Sequence, residues 1–284
     1  MSSDFSDLEI EVVTSRRALI DVITGLADHH EALTALGGHA VMEVTQGIAA
    51  LPSDDTTRDG DLGVIPELLG QDLNLSARMT ELGYEAARRE RPGVWSPIAQ
   101  HDRDVHDRDS VDLIAPMSLA RGTLASHRDI RAARVGPHGK RAVSATRGTE
   151  LSLLDRQLRT LRSFDGGTTI EVYVAGPTAL LCAKAYKIHD RLDPHNSVAT
   201  LTGFFVITPQ EAAAVFAEGI ADPRISDAVR LGRDHLTDVL ADSATVASMT
   251  ANAWGDPTRE LEFRVQADRW RRAFVAQVRR PPPN

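Results

Sequence analysis

Cysteine is almost absent: Cys182 stands alone in 284 residues. A lone cysteine excludes an intramolecular disulfide and fits a reducing, cytoplasmic setting. Nothing beside it marks a thiol nucleophile, so a small buried side chain is expected. Long apolar runs are missing too. None approaches the roughly 20 residues that a membrane-spanning helix needs. The first residues, Met1-Ser2-Ser3-Asp4, lack the basic and apolar segments of a secretory leader, and no membrane partner is expected. An excess of positive charge is also lacking. The net charge of −8, with a pI near 5.7, does not describe a general nucleic-acid binder. There is no internal repeat.

The charge that is there is uneven. Between Arg78 and Arg162 arginines outnumber acids, with Arg88, Arg89, Arg91, Arg128, Arg131 and Arg134 among them. That leaves two readings, a local basic surface or a solvated surface laced with salt bridges. The polar stretch from Gln100 to Ser110 reads as an exposed loop or hairpin tip. Its His101, Asp102, His106 and Asp107 lack zinc-type spacing.

Periodicity orders the rest. Thr14 to His29 predicts an amphipathic helix capped by Thr14 or Ser15, with Ala18, Leu19, Val22, Ile23 and Leu26 as its apolar stripe. Ala32 to Leu36 reads as a short buried strand ending at Gly37-Gly38, and a helix from His39 to about Ala49 follows. Leu51 to Asp55 is a loop, Thr56 to Ile65 a strand, and Ser76 to Leu82 a helix closed by Gly83. Further strands fall at Val111 to Ala115, Arg141 to Thr146 and Thr169 to Val174. Gly176-Pro177 opens a helix to about Leu192. Beyond Pro209 the pattern is helical: Gln210 to Gly219, Ser226 to Leu240, Ala244 to Ala253 and Pro257 to Val278. The expected fold is an α/β (α+β) mixed sheet with helices, residues 1–174, followed by a mostly helical C-terminal lobe, residues 175–284.

Three pieces carry chemistry. Glycines at Gly37-Gly38 let backbone approach a ligand, and a helix N-terminus offers N–H groups to phosphate. In Asp59-Gly60-Asp61 the two acids alternate onto one face of a strand, where hard oxygen ligands suit Mg²⁺. Asp112 is a single acid in the apolar strand Val111-Asp112-Leu113-Ile114. A buried charge there needs a cation or a donor. A fourth feature is the helix after Gly176, where Lys184, Lys187 and Arg191 are spaced to share one face beside Leu181, Ala185, Ile188 and Leu192.

This order of motifs resembles the polymerase-beta-like nucleotidyltransferase superfamily. The wording Leu36-Gly37-Gly38-His39-Ala40-Val41, then Thr57-Arg58-Asp59-Gly60-Asp61-Leu62, then Val174 to Ile188, is most similar to the AbiEii/MenT-like nucleotidyltransferase toxins. The resemblance covers roughly residues 30 to 192. It implies a nucleotidyltransferase-like sheet and an enzyme using an NTP with Mg²⁺ or Mn²⁺. Asp59, Asp61 and Asp112 would be the metal ligands. They would be catalytic together with Lys184 and Lys187. Nucleotide contacts would come from Gly37, Gly38, Thr57, Arg58, Lys184, Lys187 and Arg191. The implied acceptor is RNA, foremost a tRNA end, or a protein hydroxyl, in a toxin–antitoxin system with a cognate antitoxin. The family follows its lysine helix with a Lys-Asp-x-x-Asp-like stretch, whereas Pro194 to Phe204 here has neither Lys nor Asp. Two alternatives therefore stand: a transferase acting on a small molecule such as an antibiotic, or a catalytically degenerate NTP-binding regulator.

Overall fold

Two acids flank a glycine in Asp59-Gly60-Asp61, Leu62, Gly63 and Val64 follow, and this segment is the central strand of the sheet. The computed structural model describes residues 9–45, 57–70, 74–86, 91–103, 109–120, 132–191, 206–253 and 256–279. The expected loop at Leu51 to Asp55, the stretch Pro194 to Phe204, and the part of the expected helix after Thr45 lie outside them. Two compact units are found. The first comprises the described parts of Met1–Glu43, Thr56–Thr146 and Arg156–Ala175. The second includes Arg147–Asp155 and the described parts of Gly176–Asn284.

The first unit holds a mixed eight-stranded sheet. Its strands are β1 (Leu33–Ala35), β2 (Asp59–Val64), β3 (Tyr84–Ala86), β4 (Val94–Pro97), β5 (Ser110–Pro116), β6 (Ser144–Thr146), β7 (Arg156–Arg162) and β8 (Thr169–Ala175). The order is β3-β4-β5-β2-β1-β8-β7, with β6 paired to β5. β2 runs antiparallel to β1 and parallel to β5. Leu62 and Val64 of β2, and Val111, Leu113 and Ala115 of β5, are fully buried on one face. Helix α1 (Ile10–Gly25) packs on that face. Gly60 faces it with no side chain, and a Cβ there would come within 2.9 Å of the Leu19 Cβ. The Asp-Gly-Asp spacing thus serves both faces: acids on one, helix packing on the other.

Helix α1 starts four residues earlier than periodicity predicts and ends at Gly25. Thr14 and Ser15 therefore lie inside it and do not cap it. The predicted apolar stripe, Ala18 to Leu26, is buried as expected. Helix α2 (Gly37–Val44) follows β1, and α3 (Leu75–Glu81) ends before Gly83, whose φ is +83°. Strands β3, β4 and β7 do not emerge from the sequence pattern. β7 is Arg-Gln-Leu-Arg-Thr-Leu-Arg at one edge of the sheet. Charged, exposed residues are usual on an edge, and they conceal the period of two. Its arginines make internal contacts. Arg156 stacks 4.0 Å from the Tyr173 ring and donates to the Glu31 carbonyl, while Arg159 donates to the Glu43 carbonyl. That part of the arginine-rich stretch is structural.

The second unit is helical: α4 (Pro177–Arg191), α5 (Pro209–Ala221), α6 (Ser226–Ala241), α7 (Ser243–Ala253) and α8 (Glu260–Val278). A capping box between Thr208 and Glu211 starts α5. Phe216, Trp270 and Phe274 form its aromatic core, with Trp270 stacked on Phe274 at 5.0 Å. Asp155 caps α4 from outside the helix, its carboxylate accepting from the Ala179 N–H at 2.8 Å. Burial raises the Asp155 pKa, and the helix N–H donors oppose the rise. Cys182 is buried, as expected, and burial pushes its thiol up. No helix among the described residues is long and apolar enough to cross a membrane.

Candidate metal centre

The register of β2 on β5 decides the site. Asp61 lies directly opposite Asp112, and Asp59 opposite Ser110. The pleat puts Asp59, Asp61 and Asp112 on the same face. One carboxylate oxygen from each lies within 4.8 Å of the other two. All three residues are partly buried, so solvent screening between them is incomplete. Like charges directly opposite one another destabilise a strand pair. Three hard, anionic oxygen donors converging at this distance fit Mg²⁺ or Mn²⁺.

The glycine turn packs onto this trio. Gly37 has φ +60°, and a Cβ there would fall 1.8 Å from the Asp61 Oδ2. At Gly38 a Cβ would fall 2.4 Å from the Thr57 Oγ1. Both positions need glycine: Gly37 for a left-handed backbone and for contact with Asp61, Gly38 for contact with Thr57. The Leu36 N–H, just before the turn, donates to the Asp61 carbonyl at 2.9 Å. Gly37, Gly38, Thr57, Asp59, Asp61 and Asp112 are thus gathered around one point, with Arg58 exposed beside them.

Lys184 and Lys187 belong to the second unit, on α4, which ends at Arg191. Lys184 is 7% exposed, so its side chain is buried and does not lie on a solvated face. Leu181 and Ala185 are buried as predicted, and Lys187 and Ile188 are half-buried.

Buried polar contacts on α1 and α2 were missed by sequence reasoning. Arg16 is buried in the middle of α1 and forms an ion pair with the buried Glu43 of α2. Its guanidinium lies 4.9 Å from the Phe164 ring, and its Nε donates to the Arg162 carbonyl. Burial lowers the Arg16 pKa, and Glu43 opposes the fall. His39 is fully buried, its Nε2 3.0 Å from the Ser15 Oγ. Ser15 donates its one proton to carbonyls, so the His39 Nε2 carries the hydrogen of that contact. Burial and the nearby Arg16 push the His39 pKa down to about 3, so the ring is neutral. The available signal was a charged residue inside an apolar stripe, Arg16 between Val12 and Leu19, which requires a buried partner.

The chain matches no protein-family model, no curated protein and no solved structure.

Proposed function

We propose that this protein is a divergent, metal-dependent nucleotidyltransferase of the polymerase-beta-like kind. The observation that carries the reading is the convergence of Asp59, Asp61 and Asp112 beneath a glycine turn that touches Asp61. Asp59, Asp61 and Asp112 would hold Mg²⁺ or Mn²⁺. Bound there, a divalent cation supplies charge neutralisation for a triphosphate and activation of an attacking hydroxyl. The chain's own residues do the rest. Gly37 and Gly38, lacking side chains, admit phosphate close to the backbone at the start of α2. Thr57 and Arg58 flank the acids as nucleotide contacts. Asp112 would also accept the proton of the incoming hydroxyl. Lys184, Lys187 and Arg191 are assigned to the triphosphate on resemblance to the AbiEii/MenT-like toxins.

On the same basis the donor is an NTP and the acceptor is RNA, foremost a tRNA end, or a protein hydroxyl, with the chain acting as the toxin of a toxin–antitoxin pair in the cytoplasm. One observation favours a second reading. Pro194 to Phe204 lacks the Lys and Asp that this family carries there, as a nucleotide-binding regulator without turnover would. Incubation with labelled NTPs, Mg²⁺ and cellular RNA or protein separates the two. Label transfer by the wild type and none by Asp59→Ala supports the transferase. Tight NTP binding with no transfer supports the regulator, and neither binding nor transfer sinks both.

A further inference from the structure

Two parallel strands joined through a distant connection have no hairpin to set their register. A one-residue slip between β2 and β5 would send one carboxylate to the opposite face. Some element must hold both strand starts, and α1 reaches both. Thr14 donates to the Asp109 Oδ1 at 2.6 Å, one residue before β5 begins. Ser15 donates to the Thr57 carbonyl at 2.9 Å, two residues before β2 begins. Each hydroxyl also lies 3.2 Å from its own helix carbonyl three residues back, the usual local bond. The long-range contacts are the shorter ones.

Both anchors are themselves braced. Asp109 exchanges two hydrogen bonds with Gln100: its Oδ2 accepts from Nε2 at 2.6 Å, and its N–H donates to Oε1 at 2.8 Å. On the other side His39, one residue after the glycine pair, donates to the Ser15 Oγ. Successive residues on a helix point about 100° apart, so neighbouring hydroxyls can serve two different strands.

The geometry points to Thr14, Ser15 and His39 as positioning residues that set the glycine turn, β2 and β5 so that Asp61 meets Asp112. This rests on reading those carboxylates as a cation site. None of the three residues touches the cation; each acts through the strand it holds.

The test uses the full chain and Mn²⁺ alone, with binding followed by electron paramagnetic resonance and local opening by amide hydrogen exchange. Thr14→Val and Ser15→Ala should each weaken Mn²⁺ binding about tenfold or more, the scale of losing an outer-shell partner. Thr14→Ser, which keeps the hydroxyl, should restore it. Exchange should quicken selectively at Ser110 to Leu113 in Thr14→Val and at Asp59 to Leu62 in Ser15→Ala. Should Ser15→Ala fail to fold, His39→Gln keeps a donor and should retain affinity, and His39→Leu should lose it. Wild-type affinity with unchanged local exchange in Thr14→Val and the serine or histidine variants overturns the proposal. If the wild type binds no Mn²⁺, the cation reading fails, and the exchange pattern still decides whether these residues hold the strands.

Discussion

Gly37→Ala puts two effects of different origin at one position. An L-residue in the left-handed region costs about 1–2 kcal/mol. The new Cβ would also lie 1.8 Å from the Asp61 Oδ2, 2.7 Å from its Cγ and 2.9 Å from its Cβ. Swinging the Asp61 side chain about χ1 out of its rotamer relieves the first two contacts, at about 0.5–1.5 kcal/mol, and the third, between two Cβ atoms, is relieved only by a small backbone shift. The sum is about 1.5–3.5 kcal/mol, or roughly 3–14 °C in Tm at about 2–4 °C per kcal/mol. Asp61 is then turned from the point it shares with Asp59 and Asp112. Mn²⁺ at about 100 times its wild-type Kd should stabilise the wild type by about 2.7 kcal/mol. If displacement of Asp61 weakens binding about a hundredfold, the same concentration gives about 0.4 kcal/mol. Gly83→Ala is the control: its φ is +83° and nothing lies within 4 Å of the added Cβ. It should lose the backbone share of stability and keep the full Mn²⁺ response. Thermal unfolding with and without Mn²⁺ reads both quantities. A Gly37→Ala protein with the full Mn²⁺ shift, or a Gly83→Ala protein without it, refutes the reasoning.

Other perturbations test the frame around the site. Glu43→Leu leaves Arg16 buried without its partner and should cost about 3–5 kcal/mol, read by urea unfolding; a loss under about 1 kcal/mol would contradict the buried pair. His39 links stability to pH. Its folded pKa of about 3 lies below the ordinary 6.5, so the unfolded chain binds the proton more readily. Its contribution is present above pH 6.5 and is lost as pH falls toward 3, by up to about 4–5 kcal/mol at 1.36 kcal/mol per unit. His39→Gln should flatten that acid limb, and an unchanged limb would assign it to other groups. Asp155→Ala removes the cap of α4 and should cost about 1–2 kcal/mol, with amide exchange at Thr178 and Ala179 rising first.

Local pattern carried much of this protein. The strands around Leu33, Asp59, Val111 and Thr169 and the C-terminal helices appear where their periods place them, because a period is set by near neighbours along the chain. The glycine pair and Asp59-Gly60-Asp61 were legible for the same reason, as was the burial of Cys182. The start of α1 was not. Thr14 and Ser15 look like caps in sequence, yet both hydroxyls are used on other strands from within the helix. Strand β7 was hidden by the charges it carries at the sheet edge, and β3 and β4 by their short spans of three and four residues. Tertiary structure decided that Asp112 stands opposite Asp61, that Gly37 presses on Asp61, and that Arg16 finds Glu43. These are pairings between segments far apart in the chain. The order and register of strands, and the partner of a buried charge, follow from packing the whole sheet against α1, and no local period encodes them.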